Sequence, residues 1–277
     1  MKSILFLVLA GASLVLQAQQ VRFMTYNIRY DSPNDGPDRW EFRKQGLADQ
    51  INALQPDVMG TQEGMYHQLV WLDSVLAGYR FVGKGRDNGT NAGEFSAVFF
   101  LEEKYELLDT QTFWLSETPD VPSKGWDAAF NRVCTMVKLR AKRRQDTFTV
   151  FNVHLDHMGT EARAKSVEML IQKTEALRKS GEKVVLLGDF NLEPEAEPIL
   201  LLNRIFLNTR NTARLVEETH PGTFTGFNLE ILAKPRIDYV FVSGKGVSVQ
   251  RYIAPVHKAN GRYPSDHFPV IADVHLE

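Results

Sequence analysis

An unbroken apolar run, Val184-Val185-Leu186-Leu187, ends abruptly at Gly188-Asp189. Four consecutive branched apolar residues leave a strand no polar face, so it must be covered on both sides, which demands a sheet with material packed above and below it. Val21 to Tyr26, Phe95 to Leu101, Leu107 to Leu115, Phe130 to Leu139, Phe148 to Leu155, Ile237 to Ser243 and Val270 to Leu276 are further strand-like runs, rich in β-branched and aromatic residues. The four from Phe95 to Leu155 follow one another closely and predict sequential antiparallel pairing. Helical spacing appears between the runs. Leu47, Ile51 and Leu54 precede Pro56, with Asp38 and Glu41 placed as a capping box. Leu69, Leu72 and Leu76 stop at Gly78. Thr160 to Ser180 carries Val167, Leu170, Ile171, Thr174 and Leu177 on one stripe, and a shorter helix is expected over residues 199–205. Strands covered by helices on their outer faces imply stacked α/β layers.

The chain has 277 residues, 43% hydrophobic and 24% charged, a globular composition, and no Pro/Ser/Gly tract, charge block or repeat divides it after Val21. One domain over residues 19–277 is therefore expected. Ahead of it, Lys2, the apolar stretch Ile4 to Leu16 and Gln17-Ala18 have the pattern of a signal peptide cleaved after Ala18. The stretch is too short for a spanning helix, which needs about 20 apolar residues. An exported protein, periplasmic or extracellular, with no membrane anchor in its mature form follows as the expectation. The single cysteine, Cys134, excludes an intrachain disulfide framework and multi-thiolate metal sites. A formal charge of −2 offers no global cationic excess for a nucleic-acid polymer.

Polar residues stand where the strands end. Asn27 follows the first strand, Glu63 follows Val58-Met59-Gly60-Thr61-Gln62, and His154 interrupts Phe151-Asn152-Val153-His154-Leu155. Asp189 and Asn191 terminate the Val184 run, Asp238 sits within Ile237-Asp238-Tyr239-Val240, and Asp266-His267 precedes Phe268-Pro269-Val270. Strand ends meeting at one edge would assemble carboxylates, amides and imidazoles without thiolate, a donor set suited to a hard cation such as Mg²⁺ or Mn²⁺. Asp238 in an apolar strand needs a partner, because an unpaired buried carboxylate is costly. Asp156-His157 reads either as support for the site or a substrate contact or, more simply, as a strand-end turn, and His67, His220, His257 and His275 as surface or packing residues.

Taken in order, Thr25-Tyr26-Asn27-Ile28-Arg29, Thr61-Gln62-Glu63, Asn152-Val153-His154-Leu155, Gly188-Asp189-Phe190-Asn191, Ile237-Asp238-Tyr239-Val240 and Ser265-Asp266-His267-Phe268-Pro269 resemble the endonuclease/exonuclease/phosphatase superfamily. The resemblance implies a four-layer α/β sandwich, two mixed β-sheets face to face with helices outside. It implies Glu63 as principal ligand of a divalent cation, with Asn27 and Asp266 nearby. It implies His267 as general base oriented by Asp238, Asp189 and Asn191 as residues that orient the nucleophile and contact phosphoryl oxygens, and His154 as a donor to a non-bridging oxygen.

The segment Pro235-Arg236-Ile237-Asp238-Tyr239 lacks the Trp-Cys pair of inositol-polyphosphate 5-phosphatases, and no apolar docking hairpin of the sphingomyelinase kind is present. Asp189 to Pro194 and Pro264 to His267 read closest to the nocturnin and deadenylase-like branch. Trp114 and Trp126 flank a Pro-containing loop and form either a stacking platform for a sugar or base or the packing of that loop. Arg29, Arg132 and Arg163 lie beside motif residues or open a helix after one, where a guanidinium fork would suit a terminal phosphate. The reaction expected is hydrolysis of a small phosphomonoester or phosphodiester, such as a sugar phosphate, nucleotide or inositol phosphate, by activated water, with no stable protein partner implied. A secreted nuclease is the alternative, and a catalytically silent glycan- or lipid-binding protein the third reading.

Overall fold

Along β1 (Gln19–Asn27), Val21 and Phe23 point one way and Met24 and Tyr26 the other, and the two sets enter different cores. The same parity governs β8 (Lys183–Asp189): Val185 and Leu187 join the core of Val21 and Phe23, while Val184 and Leu186 join a third. Two sheets thus pack on each other through one core, and each packs helices against its outer face through its own. The protein is a four-layer α/β sandwich. The computed structural model describes residues 19–276, so the signal-peptide reading of residues 1–18 lies outside the described residues.

The first sheet takes β1 with β2 (Val58–Gly64), β3 (Tyr79–Val82) and β4 (Phe95–Leu101). The second takes β5 (Tyr105–Trp114), β6 (Val133–Ala141), β7 (Thr147–His154), β8 and the two-residue β9 (Leu207–Asn208). Beyond these, β10 (Leu215–Glu218) returns to the first sheet, β11 (Asp238–Ser243) to the second, and β12 (Val247–Ala254) and β13 (Val270–Leu276) to the first. Their spatial orders are β10-β12-β13-β1-β2-β4-β3 and β5-β6-β7-β8-β11-β9. Helices α1 (Trp40–Leu54) and α2 (Tyr66–Val75) cover the first sheet, burying Leu47, Ile51, Leu69 and Leu72. On the second sheet lie α3 (Thr160–Lys179) and α4 (Glu197–Asn203), burying Val167, Leu170, Ile199 and Leu202; α5 (Thr209–Thr212) is a single turn.

Two sequence expectations are corrected. The four middle strands do not pair in sequence: β4 lies between β2 and β3 in the first sheet, and only β5, β6 and β7 form a sequential antiparallel run. The chain changes sheets between Leu101 and Tyr105, a switch that strand propensity does not encode. Nor does Asp38 cap α1. Arg39 occupies that position in extended backbone, and the Asp38 carboxylate accepts from Arg262 Nε at 2.6 Å and Nη2 at 2.5 Å. A bidentate charged pair outcompetes a single bond to a helix amide.

The core between the sheets contains a polar seam at one end. Gln62 Nε2 donates to Asn152 Oδ1 at 2.7 Å and to Thr25 Oγ1 at 3.0 Å, and Asn152 Nδ2 donates to the carbonyls of Thr61 and Ala97 at 2.9 and 2.8 Å. Each of these side chains is fully buried, and leaving one such group unpaired would cost about 1–3 kcal/mol. Gly60 lets the sheets approach here: a Cβ would lie 2.2 Å from Leu187 Cδ1 and 2.7 Å from Asn152 Cγ. Gly60→Ala is expected to destabilise the fold by about 1–3 kcal/mol, the range for overpacking. Denaturant midpoints at unchanged m-value check this, and an unaltered midpoint would show that the sheets can separate freely.

Candidate active site

Strand register brings the polar ends together. In the second sheet His154 of β7 stands opposite Asp189 of β8, and Asp189 opposite Asp238 of β11. By parity with Val185 and Leu187, Asp189 faces the first sheet, and Asn27 ends β1 on the face of Val21 and Phe23. Asn27 Nδ2 spans the gap, donating to Asp189 Oδ2 and to Glu63 Oε1, both at 3.0 Å. Glu63 is turned inward by a bulge in β2, where its φ of 63° is a left-handed conformation costly for a side chain. The loop before β13 is drawn in by Ser265 Oγ, which donates to the Asn27 carbonyl at 2.6 Å. It delivers His267 Nδ1 to Asp238 Oδ2 at 2.9 Å, with Thr223 Oγ1 donating to the same oxygen at 2.5 Å. His267 Nε2 lies 3.7 Å from Asp189 Oδ2.

This geometry crowds acidic groups in a place poor in water. Burial, and then the neighbouring Asp238 charge, push Asp189 up to about 7. Burial likewise raises Asp266. Burial acts the opposite way on the imidazoles: it would lower His267, but Asp238, with its charge and hydrogen bond, and Asp189 outweigh it and pull His267 up to about 10. His154 has no such compensation, and burial with the Arg132 and Arg86 charges holds it well below the usual histidine range. His154 is therefore a neutral donor, its Nε2 3.6 Å from Asp189 Oδ2.

The donor chemistry fits a hard divalent cation. Glu63 and Asp266 are cavity-lining carboxylates that the Arg29 guanidinium approaches to 3.8 and 3.9 Å. That guanidinium is already committed bidentately to Asp35 at 3.0 and 2.9 Å, so the negative charge of the basin is incompletely balanced. Asn27 is placed to position the carboxylates. Its Oδ1 accepts the Arg29 amide at 3.0 Å, which leaves Nδ2, a donor only, facing them. Asp189, Asp238 and His267 also offer ligand atoms within 4.8 Å of one another. Asp238 Oδ2 already accepts two hydrogen bonds there, which leaves Glu63 and Asp266 as the carboxylates that could hold a cation.

A cavity of about 370 Å³ opens over these groups. Larger hollows of about 420, 450 and 520 Å³ share none of its lining residues and gather none of the polar strand-end residues named above. The expected substrate residues divide. Arg29 and Arg132 line the active cavity, whereas Arg163 lies outside its lining and donates to the Asp156 carbonyl at 3.0 Å. Trp114 is only 4% exposed, so it is no stacking platform. Its indole donates to the Arg86 carbonyl at 2.7 Å and its ring lies under Gly89, supporting the loop between β3 and β4. Trp126 is half-buried in the loop before β6 and lies outside the cavity lining. Arg86, Glu94, Phe130, His157 and Phe224 also line the cavity. Sequence reasoning did not find Arg86, Glu94, Phe130 or Phe224. Arg86 and Glu94 belong to a Gly- and Asn-rich turn segment, which signals a loop and nothing more.

A model of the Endonuclease/Exonuclease/phosphatase family matches residues 24–267, and the chain belongs to that family. Its members are hydrolases of phosphoesters that depend on divalent metal. Among solved structures, the chain is similar to a family protein of Bacteroides thetaiotaomicron, with a TM-score of 0.88 at 32% identity, covering 94% of this chain and 99% of that one. It is equally similar to a mannosyl-6-phosphatase of Bacteroides thetaiotaomicron VPI-5482, with a TM-score of 0.86 at 33% identity over 92% of this chain and 100% of that one. Nocturnin of Rattus norvegicus is 24% identical over 289 residues, which cover 91% of this chain and 65% of nocturnin.

Carboxyl groups raised by burial must ionise to face a dication. Binding of Mn²⁺ should therefore tighten as pH rises from 6 to 8 and release protons at pH 6, where Asp189, pushed up to about 7, is largely protonated. Calorimetry in two buffers of different ionisation enthalpy measures both. Affinity independent of pH, with no proton release, would contradict the electrostatic description.

Proposed function

We propose that this chain is a divalent-cation-dependent phosphomonoesterase acting on a small phosphorylated sugar, and that it works after export, as the leader-like pattern of residues 1–18 suggests. The observation that carries the reading is the His267–Asp238 pair at the floor of a cavity of about 370 Å³, within the range of small-molecule sites, roughly 300–1,000 Å³. The likeness to a mannosyl-6-phosphatase at 33% identity supports a hexose phosphate in particular. A polymer substrate gains no support from charge, because the arginines lining the cavity are already paired: Arg29 with Asp35, Arg86 with Glu94, and Arg132 with Asp156.

The hydrogen bond from Nδ1 to Asp238 fixes the His267 tautomer that leaves Nε2 as the proton acceptor for an attacking water. Asp238 then stabilises the imidazolium that forms. Asp189, held by the Asn191 amide at 2.9 Å and by Asn27, orients the water from the side of Nε2. Asn191 is anchored by Nδ2 on the Leu155 carbonyl at 3.0 Å and keeps a second N–H hydrogen for a phosphoryl oxygen. Neutral His154 donates to another oxygen without adding charge to the basin. When bound at Glu63 and Asp266, a divalent cation supplies positive charge to the phosphoryl oxygens and offsets the carboxylates that keep His267 protonated.

Purified protein with Mg²⁺ or Mn²⁺ should release phosphate from glucose 6-phosphate, mannose 6-phosphate and p-nitrophenyl phosphate, and EDTA should abolish it. His267→Ala should lower kcat by at least about a hundredfold; full activity would remove His267 from the reaction. Asp238→Asn should lower kcat by about 10²- to 10⁴-fold. It should also move the acid limb of the pH profile downward, because the Asp238 charge raises the pKa of a group that acts deprotonated. A limb that stays in place would show that another group sets the profile.

A further inference from the structure

One part of the cavity wall is built by the loop joining β3 to β4, which contributes Arg86 and Glu94. The loop folds back on itself, with Arg86 N–H donating to the Glu94 carbonyl at 3.1 Å and Asp87 N–H to the Ala92 carbonyl at 3.1 Å. This sets Arg86 Nη1 on Glu94 Oε2 at 2.7 Å, with both side chains largely buried. The loop is held from below, since the Arg86 carbonyl accepts from Trp114 Nε1 at 2.7 Å and Asn131 Nδ2 at 3.2 Å.

Arg132 completes the wall. Its Nε donates to Asp156 Oδ1 at 3.2 Å and its Nη2 meets His157 Nδ1 at 3.0 Å, while Nη1 is buried and has no hydrogen-bond partner. Asp156 is fixed in turn by the amides of Gly159, Met158 and Ala129 at 2.7, 3.0 and 3.1 Å, so the guanidinium cannot swing away. A buried charged donor left unpaired costs more than the hydrogen bond it lacks, so this atom is set for a partner that the chain does not supply. Arg132, only 5% exposed, lines both the main cavity and a side pocket of about 10 Å³ shared with Arg86, Glu94, Ser96 and His154. That side pocket has room for about one water.

The charge of this wall decides what it can take. Arg86 is balanced by Glu94 and Arg132 by Asp156, so no excess positive charge remains for a second phosphate. What remains are a guanidinium donor and a carboxylate acceptor lining the same cavity, the pairing that a hydroxyl satisfies by accepting from one and donating to the other. Phe130, 51% exposed and stacked on His157 with ring centroids 5.9 Å apart, adds apolar surface at the cavity edge for the C–H side of a ring. The wall is one imidazole away from the reacting centre: His154 Nδ1 is 3.9 Å from Glu94 Oε2 and its Nε2 is 3.6 Å from Asp189 Oδ2.

We propose that Glu94 and Arg132, with Arg86 positioning Glu94 and Phe130 at the rim, form a hydroxyl-recognition subsite that selects an uncharged polyol ring bearing one phosphate and discriminates against bisphosphates. The proposal rests on the phosphomonoesterase reading and adds the residues that set substrate choice. The test compares kcat/KM for glucose 6-phosphate and mannose 6-phosphate with that for p-nitrophenyl phosphate, in the wild type, the shape-conserving Glu94→Gln, and Phe130→Ala, whose half-exposed ring is removable without disturbing the core. The ratio of sugar ester to p-nitrophenyl ester should fall at least about tenfold in Glu94→Gln and several-fold in Phe130→Ala, as for sites that read substrate hydroxyls. Calorimetric binding of the same sugar phosphates needs no turnover and should weaken at least about tenfold in Glu94→Gln. An unchanged ratio and affinity in both variants, with thermal melts showing folded protein, overturns the subsite alone. Absence of turnover on every monoester, with sugar-phosphate binding that Glu94→Gln weakens, overturns the activity and leaves the subsite standing. A preference for fructose 1,6-bisphosphate over the monophosphates overturns the neutral-polyol assignment.

Discussion

The amide of Asn27 is where the two sheets meet chemically. Its Nδ2 holds Glu63 of one sheet and Asp189 of the other at 3.0 Å each, and the backbone carbonyl of the same residue accepts from the Ser265 hydroxyl that anchors the loop carrying Asp266 and His267. Three parts of the chain far apart in sequence are brought into register by one residue at the end of β1, through its side chain and its backbone. The contact is possible because the sheets approach closely at this end, over Gly60 and the Gln62–Asn152 seam. An apolar core alone would hold the sheets together without specifying this register; paired amides do specify it, since a slip would strand buried donors and acceptors.

Gathering carboxylates in this way creates an electrostatic load that the surrounding structure answers. Arg43, buried on α1, donates to the carbonyls of Ile28 and Arg29 at 2.6 Å each, Asp38 at 3.0 Å and Pro264 at 3.1 Å. It clamps the loop after β1 to the loop before β13 and places a fixed positive charge behind Asp266. Arg29 approaches from the front but is restrained by Asp35. The basin keeps a deficit of positive charge where Glu63 and Asp266 face the cavity, a setting suited to a divalent cation.

Floor and walls are made differently. Strand ends supply the floor, where register fixes His154, Asp189 and Asp238 in one row. Loops supply the walls and are held by polar hubs in place of sheet hydrogen bonds. Asp156 gathers the loop around Ala129 and the start of α3, and Asp127 from that same loop caps α3, accepting from the Ala162 amide at 2.7 Å. Trp114 acts from within the core as a prop for the loop bearing Arg86. Such walls can vary in residue identity without disturbing the floor, which is how one reaction centre comes to serve different substrates.

The sequence by itself determined the layers and the floor. Asn27, His154, Asp189 and Asp238 stand out as polar residues at the ends of apolar runs, and the apolar run at Val184 demands a covered sheet; both are local patterns readable from side-chain chemistry alone. The motif positions, read together, were enough to point to the family. Only the tertiary structure decided the rest. It divided β4 from β5 between sheets, turned Glu63 inward through a bulge, gave Asp38 to Arg262 instead of a helix cap, buried Trp114 as a support, and set Arg86, Glu94, Arg132 and Phe130 around one cavity. These outcomes depend on contacts between residues distant in the chain, whose energies exceed local propensity and leave no periodic trace in the sequence. The floor of this site was therefore legible from the amino acids, while the wall that would choose the substrate became visible only once the chain was folded.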